Sequence, residues 1–442
     1  MTVIHGWGRY PRVDAEVLRP TGAPQAAALV VASGVASGAG AGSLIARGLG
    51  RSYGDSALAP RVLESTHLDR YADFDAATGL LRCDAGVSLL DMLHTFVPRG
   101  WFLPVTPGTR HVTLGGAIAS DVHGKNHHVD GSFSRHVSSV ELLLGNGEVV
   151  SASRTERPDL FEATCGGMGL TGVLLSATLA LKPIRSSEIV QTTLKLPNLQ
   201  AVVEAFEAHA ASTYSVAWID CLATGAGLGR SILTLGEHAA RGPLQTRAKA
   251  ALPVPFDLPA ALLNRATVGA FNALYHGRVR QARQTRQLPF EPFFYPLDAL
   301  AGWNRLYGRA GFVQYQFVLP RADGTRGLER IVRRIAASGR GSFLAVLKAF
   351  GPGNDHPISF PQAGYTLALD FKAEPAVFRL LDELDPLVLE HGGRLYLAKD
   401  ARMSEATFKQ SYPRWQEFEA VRARYHAVGR FASLQSKRLG LQ

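Results

Sequence analysis

The sequence predicts an α+β fold in which short, glycine-punctuated strands come first and an antiparallel sheet backed by helices follows. Before residue 184 the apolar runs are short and separated by glycines, which argues against a regular doubly wound sheet. Asn146-Gly147 lies between two apolar runs, which is a strong signal for a β-hairpin. From Phe312 onward strand and helix patterns alternate, and an antiparallel sheet covered by helices is the natural result.

The part of the chain before residue 184 is predicted to mix helices with short strands. A helix over Pro24–Ser33 precedes a flexible loop, Gly34–Gly42, that is rich in glycine and serine. The elements predicted after that loop are the strands Leu44–Arg47, Arg61–Leu68, Leu80–Cys83 and Thr171–Leu181, the helix Ser88–Val97, and the hairpin strands Val137–Leu144 and Glu148–Ala152.

The part after residue 184 has longer and more regular patterns. In the helix predicted over Pro375–Glu390, apolar residues recur from Val377 to Val388 at the spacing of one helical face, so this helix should cover a sheet. The other predicted elements are the helices Asn198–Ala211 and Gly324–Ala337, the strands Tyr214–Leu222, Phe312–Leu319, Ser342–Phe350 and Tyr365–Phe371, and a long irregular stretch, Glu237–Phe294.

The composition is that of a globular protein with a positive net charge. Lys and Arg number 47 against 37 Asp and Glu, which gives +10 at pH 7. Such a balance favours anionic partners, namely nucleic acid, acidic lipid or a phosphorylated substrate, or it reflects an arginine-rich solvated surface. The three cysteines are far apart, so neither a disulfide framework nor a zinc site is indicated. The sequence shows no secretory signal and no apolar run of about 18 residues, so we expect a cytoplasmic protein.

A glycine-rich segment, Ile45–Asp55, follows the first predicted strand of this region. It places Gly48, Gly50 and Gly54 among polar residues. Glycines allow a close approach of the backbone and let consecutive N–H groups point into one concavity, as a pyrophosphate requires. The segment is neither a Rossmann fingerprint nor a Walker A loop. Taken alone, it is a pyrophosphate loop or an ordinary surface turn.

Two further glycine clusters favour the pyrophosphate loop over the ordinary surface turn. Thr113 and Leu114 precede Gly115-Gly116 at a predicted helix start, where free N–H groups favour phosphate. The third cluster is Gly166-Gly-Met-Gly-Leu-Thr-Gly172. Three such clusters in one region predict an extended ligand with a phosphate centre, and a dinucleotide is the obvious candidate.

These three clusters, in this order and spacing, resemble the vanillyl-alcohol-oxidase-type, or PCMH-type, FAD-binding domain. Motifs along almost the whole chain further resemble the decaprenylphosphoryl-β-D-ribose 2′-oxidase family. They are His5-Gly-Trp-Gly-Arg9, Ala46-Arg-Gly-Leu-Gly-Arg-Ser-Tyr-Gly-Asp55, Pro107-Gly-Thr-Arg110, His123-Gly-Lys-Asn-His-His128, Trp303-Asn-Arg, Gln314-Tyr-Gln-Phe317, Lys348 with Phe350-Gly-Pro352, and Gly392-Gly-Arg-Leu-Tyr-Leu-Ala-Lys-Asp400.

The resemblance implies a function and a domain plan. That family uses FAD to oxidise the 2′-hydroxyl of a polyprenyl-phosphoryl ribose to the ketone, and a separate keto-reductase then completes an epimerisation to the arabinose donor of cell-wall arabinan. The implied plan is an FAD-binding domain over residues 1–184, a substrate-binding domain over 185–393, and a return of 394–442 to the first domain. FAD and a polyprenyl-phosphoryl sugar are the implied ligands.

Carried over residue by residue, the resemblance also implies a site. The residues implied to contact FAD are Ala46, Arg47, Gly48, Leu49, Gly50, Arg51, Ser52, Tyr53, Gly54, Asp55, Ser56, Gly108, Thr113, Leu114, Gly115, Gly116, His123, Gly124, Lys125, Asn126, Leu174 and Tyr396. Those implied to surround the substrate are Lys125, Trp218, Tyr295, Gln314, Gln316, Lys348, Phe350 and Lys399. No histidine lies between Ile45 and Ser56, where relatives that tether the flavin carry one, so non-covalent FAD is expected.

The chain departs from the family pattern at two neighbouring positions. Ala368 stands where well-studied members carry a cysteine that nitroaromatic inhibitors trap, so catalysis should survive and covalent trapping should not occur. Thr366 replaces an asparagine of the pocket, which leaves the choice of sugar or lipid open.

Oxidation of an alcohol to a ketone needs a group that takes the hydroxyl proton while a cofactor takes the hydride. Lys399 is the first candidate for that group, with Tyr53 and His123 as further catalytic candidates; the alternative for Lys399 is a surface lysine paired with Asp400. Lys125 and Lys348 suit a substrate phosphate as point charges. For His127 and His128 we expect local structural hydrogen bonds and no metal, because no ligand partner stands at the required spacing.

The four arginines from Arg278 to Arg286 follow an apolar segment, Leu252–Leu263. This combination would rest on an anionic membrane at the inner face of the cell and admit a lipid tail, or it is a solvated, mobile loop. Two other functions remain open. One is a small-polyol or aldonolactone oxidase with the same FAD domain; the other is a nucleic-acid binder, which the scarcity of aromatic residues among these arginines argues against.

Overall fold

The computed structural model describes residues 1–35, 43–247 and 251–441. The helix predicted near the N-terminus is present as Ala23–Val35. Most of the loop predicted over Gly34–Gly42 lies outside the described residues. Among the described residues, no helix is both long enough and apolar enough to cross a membrane.

The strands before residue 184 are short, as the sequence predicts. They are β1 (Thr2–His5), β2 (Arg12–Leu18), β3 (Ile45–Arg47), β4 (Arg61–Glu64), β5 (Tyr71–Asp75), β6 (Leu80–Asp84), β7 (Trp101–Phe102), β8 (Val137–Leu143), β9 (Val149–Ser153), β10 (Val173–Ala180) and β11 (Lys182–Pro183).

Strands of up to nine residues follow in the rest of the described chain, together with three strands of two residues. They are β12 (Glu188–Leu196), β13 (Tyr214–Ile219), β14 (Ser231–His238), β15 (Leu252–Pro253), β16 (Arg283–Pro289), β17 (Leu300–Ala301), β18 (Phe312–Pro320), β19 (Ala345–Phe350), β20 (Gly364–Lys372) and β21 (Arg394–Leu395).

The α-helices lie between these strands and after the last of them. They are α1 (Ala23–Val35), α2 (Leu89–Phe96), α3 (Leu114–Ala119), α4 (His127–Asp130), α5 (Pro158–Thr164), α6 (Leu199–Ala208), α7 (Arg265–Gly277), α8 (Phe290–Phe294), α9 (Arg321–Ser338), α10 (Pro375–Glu390), α11 (Glu405–Ser411), α12 (Trp415–Arg424) and α13 (Leu434–Arg438).

Two main sheets and a short antiparallel pair, β7 with β11, form the N-terminal part. The first has the order β1-β2-β4-β3, and its parallel pairing of β3 with β4 places the glycine-rich segment after β3 at one edge. The second has the order β5-β6-β10-β8-β9 and is antiparallel throughout. The hairpin predicted around Asn146-Gly147 joins β8 to β9, and the backbone bond from Leu144 N to Glu148 O closes it. The α+β class is therefore confirmed.

The larger sheet is antiparallel and has eight strands in the order β16-β12-β14-β13-β19-β20-β18-β21. Helices α6, α9 and α10 pack on one of its faces. The apolar stripe of α10, from Val377 to Val388, is buried there, which confirms the prediction from its periodicity. The opposite face points toward the N-terminal part and carries polar side chains.

The prediction of an irregular stretch over Glu237–Phe294 is wrong. Helix α7 lies within it and begins at Arg265, after its N-cap Asn264, whose side chain accepts from the N–H groups of Ala266 and Thr267. Strand β16 also lies within it, as the outer strand of the sheet beside β12. Its polar residues sit on a solvent-exposed edge, so it lacks the apolar alternation that reveals an inner strand.

The last segment of the chain contacts both earlier parts. Its strand β21 pairs with β18 of the large sheet. Farther on, Phe431 forms a bridge with Leu44, and Arg438 pairs with Asp55 of the glycine-rich segment. The division of the chain at residues 184 and 394 stays a prediction.

Candidate active site

The first glycine-rich segment forms an accessible loop after β3. Residues 46 to 53 retain partial or full exposure, whereas Gly54, Asp55 and Ser56 are buried. Gly50 has a φ of +62°, the left-handed region that favours glycine. A Cβ atom at Gly48 would clash with the side chain of Thr113, so this loop lies directly against the second glycine cluster.

The buried end of that loop is held by the C-terminal segment. Tyr53 N donates to Ala398 O at 3.0 Å, and Gly54 lies so close to Asp400 that a Cβ atom would clash with its carbonyl. Asp55 forms an ion pair of 2.7 Å with Arg438. The C-terminal segment, which lies almost 350 residues or more after this loop in sequence, therefore holds the loop in place.

The two arginines of the loop are engaged within the protein. The Arg47 guanidinium donates to His5 O at 2.8 Å and Ala57 O at 3.2 Å. The Arg51 guanidinium carbon lies 4.1 Å from the ring centroid of Trp7, and Arg51 Nε donates to His111 O at 3.2 Å, just before the second cluster. Arg47 thus shapes the loop, and Arg51 joins it to its neighbour.

The second cluster differs from the expectation in one respect. Helix α3 begins at Leu114 with Thr113 as its N-cap, but its first N–H groups are not free. Leu114 N and Gly115 N donate to backbone carbonyls at 2.8 and 2.7 Å, and Gly116 N donates to Thr113 Oγ1 at 3.2 Å. The prediction that these N–H groups are free to bind phosphate is therefore wrong. What these residues offer a ligand is a close approach to the backbone. Gly108, farther upstream, is exposed, and a Cβ atom there would meet nothing within 4 Å.

The third cluster ties the N-terminal part together. Gly166 N donates to Ile118 O at 3.0 Å, and Met168 N donates to Ala119 O at 2.8 Å. These donors are therefore not available to a ligand, contrary to the expectation that this cluster offers them. Leu174, just after the cluster, lies 3.5 Å from the Cβ position of Gly115 and helps to form the wall behind α3.

His123 is buried where the two parts of the molecule meet. Its ring centroid lies 4.8 Å from that of Phe350 and 5.0 Å from that of Tyr396. The Gln316 amide nitrogen lies 2.9 Å from Nε2 and can only donate, so Nε2 accepts and Nδ1 carries the proton. Burial, with Lys348 as the next contribution, holds the pKa of His123 well below its ordinary value. The ring is neutral at pH 7.

The residues after His123 form a fixed turn. Asn126 Nδ2 donates to Pro104 O at 2.7 Å and to Asp130 Oδ2 at 2.6 Å. Gly124 is required there, because a Cβ atom would lie 2.5 Å from Asn126 Oδ1. This turn presents Lys125 to the polar face of the large sheet.

The polar face of that sheet is defined by the strand register. Gln314 pairs with Asp370, Gln316 with Ala368, and Lys348 with Thr366, and directly paired residues share a face. Because side chains alternate along a strand, one face collects these residues together with their neighbours at even spacing. Its members are Trp218, Gln314, Gln316, Lys348, Phe350, Thr366, Ala368 and Asp370.

Three half-buried lysines surround this face. Burial lowers the pKa of Lys125 to about 7 and that of Lys348 to about 8. Burial also lowers the pKa of Lys399 to about 7, with Asp370 raising it and Lys348 lowering it further. The site thus holds amines that are easily deprotonated and that repel one another.

Lys399 does not pair with Asp400, its neighbour in sequence. Its Nζ lies 3.8 Å from the ring centroid of Tyr53. Asp400 is within 2.8 Å of Arg438 and accepts from the N–H groups of Arg402 and Met403. The alternative in which Lys399 is a surface lysine paired with Asp400 is therefore wrong.

The remaining predicted site residues lie around this centre. Tyr396 donates from its hydroxyl to Ser120 O at 2.8 Å, at the end of α3. The Tyr295 hydroxyl and Thr106 Oγ1 are 2.6 Å apart, and Lys125 donates to Phe293 O. Trp218 lies farther along the sheet.

Trp218 shares the polar face, but its own contacts turn away from the lysines. Its Nε1 donates to Phe343 O at 3.0 Å, and its ring packs 4.7 Å from that of Tyr275. It forms a small cluster with Ile232 and Val279. The structure thus brings the other predicted residues together more closely than it does Trp218.

Asp370 belongs to this face and was missing from the residues predicted to form the site. Its carboxylate is buried, accepts from Gln314 Nε2 at 2.5 Å, and interacts electrostatically with Lys399. The signal was present, since Asp370 follows Thr366 and Ala368 at a spacing of two in one strand. Burial raises the pKa of Asp370 to about 7.

The histidine pair is structural in its contacts. The His127 ring packs 4.2 Å from that of Phe350, and His128 Nε2 lies 2.8 Å from Ser212 O. Across the described ranges of the chain, no group of three or more His, Cys, Asp or Glu side chains is arranged to hold a metal ion.

The geometry fits FAD at the junction of the glycine loops and the sheet. The loops at residues 46–53 and 107–112 lie side by side and stay accessible, while the residues behind them are buried. Within the described residues, His123 Nδ1 and Asp370 Oδ2 are buried and have no hydrogen-bond partner. Accessible glycine-containing loops, together with buried polar atoms that have no partner, suit a long polar ligand.

Comparisons with known proteins agree with this geometry. Residues 25–153 match an FAD binding domain. The decaprenylphosphoryl-beta-D-ribose oxidase of Mycolicibacterium smegmatis is 40% identical over 99% of this chain and 97% of its own length. The uncharacterized protein in the mprA 5′ region of Streptomyces coelicolor is 35% identical over 80% of this chain and all of its own length. Cytokinin dehydrogenase 4 of Oryza sativa subsp. japonica is 34% identical, over only 20% of this chain and 16% of its own.

Proposed function

This chain belongs to the decaprenylphosphoryl-β-D-ribose oxidase family, and from that premise we propose that it oxidises the 2′-hydroxyl of a polyprenyl-phosphoryl ribose to the 2′-keto sugar with FAD. The observation that carries the proposal is the polar sheet face beside the glycine loops. Three lysines, Lys399, Lys348 and Lys125, lie near this face, which carries Gln314 and Gln316. A phosphorylated polyol is the kind of substrate that such cations and amides bind.

The protein has to remove a proton from the reacting hydroxyl. Bound FAD supplies the hydride acceptor. We assign the proton to Lys399, because a pKa of about 7 leaves much of the amine neutral near neutral pH. Tyr53 holds this amine against its ring, and His123 keeps Gln316 oriented toward the face. The residues proposed to hold FAD are those of the two accessible loops, the turn from His123 to Asn126, Leu174 and Tyr396.

Lys125 and Lys348 are proposed to hold the substrate phosphate. Both are half-buried, and neither forms an ion pair with a carboxylate among the described residues. Lys125 keeps its ammonium near two aromatic rings, with Nζ 4.5 Å from the centroid of Phe293. The phosphate of this substrate is a diester with one negative charge, and its binding between the two lysines would lessen their mutual repulsion.

FAD is proposed to bind without a covalent bond. No histidine occurs between Ile45 and Ser56, and the loop is held by the protein contacts of Arg47 and Asp55. Denaturation in acid should therefore release all of the flavin into the supernatant. Flavin that stays with the precipitated chain would contradict this assignment.

A membrane-facing surface is proposed around α7 and β16, for a lipid-linked substrate. Leu274 and Phe271 are exposed, at 76% and 42% of their surface. Four exposed arginines follow them, and none forms an ion pair within the described part of the chain: Arg278, Arg280, Arg283 and Arg286. Exposed apolar groups next to unpaired cations are the features of a surface that binds anionic lipid.

Vesicle flotation tests this surface. We expect the protein to float with vesicles that contain anionic lipid and to remain below with zwitterionic vesicles, and a Leu274→Ser, Arg280→Gln variant should lose the binding. Leu80 and Arg82 offer a matched control, since Leu80→Ser, Arg82→Gln makes the same changes at exposed residues of β6. Equal binding by both variants would remove the surface from the proposal.

The product is a ketone, and its place in a sequence follows from that chemistry. A keto-reductase would have to reduce the 2′-keto group to the opposite configuration to yield the arabinose donor. We propose such a reductase as the next enzyme in cell-wall arabinan synthesis, because an isolated oxidation leaves a reactive ketone that no group of this site reduces.

Anaerobic mixing decides the substrate. Purified holoenzyme is combined with polyprenyl-phosphoryl ribose, with alditols and with aldonolactones, and the loss of flavin absorbance is followed. We expect rapid bleaching by the phosphorylated lipid sugar only. Bleaching by free alditols at an equal rate would instead support a small-polyol oxidase with the same FAD domain.

A further inference from the structure

We propose that Asp370 is a positioning residue, whose carboxylate stabilises the ammonium that Lys399 becomes on taking the hydroxyl proton. The inference rests on the proposed function for the role of Lys399. It adds a second group to the proton-accepting machinery, one that does not itself touch the substrate.

The strand register fixes Asp370 opposite Gln314, at the end of β20. Gln314 Nε2 donates to Oδ1 at 2.5 Å, and the backbone N–H of Asp370 donates to Ser342 Oγ at 3.1 Å. Asp370 is 1% exposed, and Oδ2 has no hydrogen-bond partner among the described residues. A buried carboxylate oxygen left without a donor is costly, so this atom needs a cation or a donor that arrives during function.

Among the described residues no ion pair joins Lys399 to Asp370, but the two side chains interact electrostatically, so Lys399 is the cation available to this oxygen. Lys399 belongs to the C-terminal segment, and its Nζ lies over the ring of Tyr53. Its neighbour Asp400 forms an ion pair with Arg438. The other ionisable or polar groups that face Asp370 are Tyr53 and Tyr307 from two loops and Gln314 from β18. Lys372, two residues farther on, lies 3.4 Å from Glu374.

The charges around Lys399 determine how Asp370 affects its protonation. Lys348 opposes the protonated form of Lys399, and Asp370 favours it; in return, Lys399 favours the ionised form of Asp370. When Lys399 accepts the proton, an O–H bond breaks and an N–H bond forms. The electron pair of the broken O–H bond would form the second C–O bond of the ketone, and bound FAD would supply the acceptor for the hydride. The attraction of the Asp370 carboxylate then offsets the repulsion between the new ammonium and Lys348.

The test is a direct titration of Lys399. The holoenzyme is reductively methylated with ¹³C, and the dimethyl-lysine signals are followed by NMR against pH, with Lys399→Met used to assign the signal. We expect a midpoint near 7 in the parent protein, and a midpoint about one unit lower or more in Asp370→Asn. The acid limb of the kcat/KM profile should move in the same direction, because a less basic amine is neutral at lower pH.

Kinetics separate positioning from substrate binding. On the plateau of the profile, Asp370→Asn should lower kcat about 10- to 100-fold and change KM little, and Asp370→Glu should recover part of the loss. Asp385→Asn is the matched control, since Asp385 is a buried carboxylate of the same domain that accepts from Tyr315 and Arg402. That control should leave the Lys399 midpoint unchanged.

Two results would overturn the inference. One is an unchanged Lys399 midpoint in Asp370→Asn, and the other is an equal shift in Asp385→Asn. If Asp370→Asn does not fold, Asp370→Ser removes the same charge and is titrated in its place, and an unchanged Lys399 midpoint in that variant would equally overturn the inference. The NMR midpoint needs no substrate, so it can fail or succeed independently of the polyprenyl-phosphoryl ribose assignment.

Discussion

Lys399 Nζ lies 3.8 Å from the centroid of the Tyr53 ring, so residues almost 350 positions apart in sequence meet at the centre of the site. The contact is a cation–π interaction when the lysine is protonated. It places the amine at the junction of the first glycine loop and the C-terminal segment. This is where a proton acceptor is needed if the glycine loops hold FAD and the sheet face holds the sugar.

We expect Lys399→Ala to retain FAD and to lose turnover. Removal of the proton acceptor should lower kcat about 10²- to 10⁴-fold, the usual contribution of a positioned general base. The flavin spectrum of the purified variant and its rate of anaerobic bleaching measure the two parts separately. Lys409→Ala changes a lysine paired with Glu405 on α11 and serves as control. A near-normal rate in Lys399→Ala would remove this residue from the mechanism.

The three lysines should make activity depend on pH in two ways: kcat through Lys399, and KM through Lys125 and Lys348. Lys399 has to be neutral to accept a proton, and with its pKa lowered to about 7, kcat should rise from about pH 6 to about pH 8. Lys125 and Lys348 have to be charged to hold a phosphate. With their pKa values lowered to about 7 and 8, KM should climb from about pH 7, where Lys125 loses its charge, and further above about pH 8, where Lys348 does.

Steady-state rates across this range with polyprenyl-phosphoryl ribose test both limbs. Lys348→Met should raise KM at every pH and remove much of the alkaline rise, because it takes away a charge that titrates there. A KM that stays constant up to about pH 10 would show that these lysines do not hold the phosphate.

The architecture was largely predictable from the sequence, because its main elements are strongly patterned. The face of α10 and the hairpin around Asn146-Gly147 follow from periodicity and turn chemistry, and both are present. Strand β16 was missed because it is an outer strand whose side chains are polar on both faces. Helix α7 was missed because exposed apolar residues such as Leu274 interrupt any polar face.

The site was predictable in its residue types but not in its contacts. The glycine clusters indicated a dinucleotide, yet the N–H groups of Leu114 and Gly166 are used by the protein itself. Only the fold shows this, because their acceptors come from distant positions. Asp370 could have been found by following the spacing of two from Thr366, but its proximity to Lys399 depends on a pairing of segments that no local pattern encodes.

Arg438→Met should destabilise the protein strongly. Arg438 lies 2.7 Å from Asp55 and 2.8 Å from Asp400, and both carboxylates are buried. Its removal leaves two buried carboxylates without an ion-pair partner, which costs about 3–5 kcal/mol of unfolding free energy. Chemical denaturation of the apoprotein and holoprotein measures the loss. FAD retention should weaken as well, because Asp55 ends the first glycine loop.

A surface pair provides the comparison for this variant. Arg424→Met breaks the pair of Arg424 with Asp159, in which the arginine side chain is 65% exposed, and should cost less than about 1 kcal/mol. Similar losses in both variants would mean that the pairing of Arg438 with the two carboxylates contributes little to stability.

Gly108→Val should weaken FAD binding without harming the fold. A Cβ atom at this position meets nothing within 4 Å, so the apoprotein has room for the side chain. If Gly108 lies against the cofactor, the added methyl groups should raise the Kd for FAD at least about tenfold, or about 1.4 kcal/mol. Gly227 also has open space around it, and Gly227→Val is the control. Flavin fluorescence titration gives the Kd, and an unchanged value would place Gly108 outside the FAD site.

Ala368→Cys should create a residue that nitroaromatic inhibitors trap, whereas the parent protein should not be trapped. Ala368 is half-buried on the polar face, opposite Gln316, where the resembling family carries the reactive cysteine. The nearby lysines favour the thiolate, which is the reactive form. The native Cys83, Cys165 and Cys221 are buried, and burial raises the pKa of each thiol, so they should stay unmodified. Intact mass after turnover with inhibitor should show one adduct in Ala368→Cys only; an adduct on the parent chain would contradict this reading of the site.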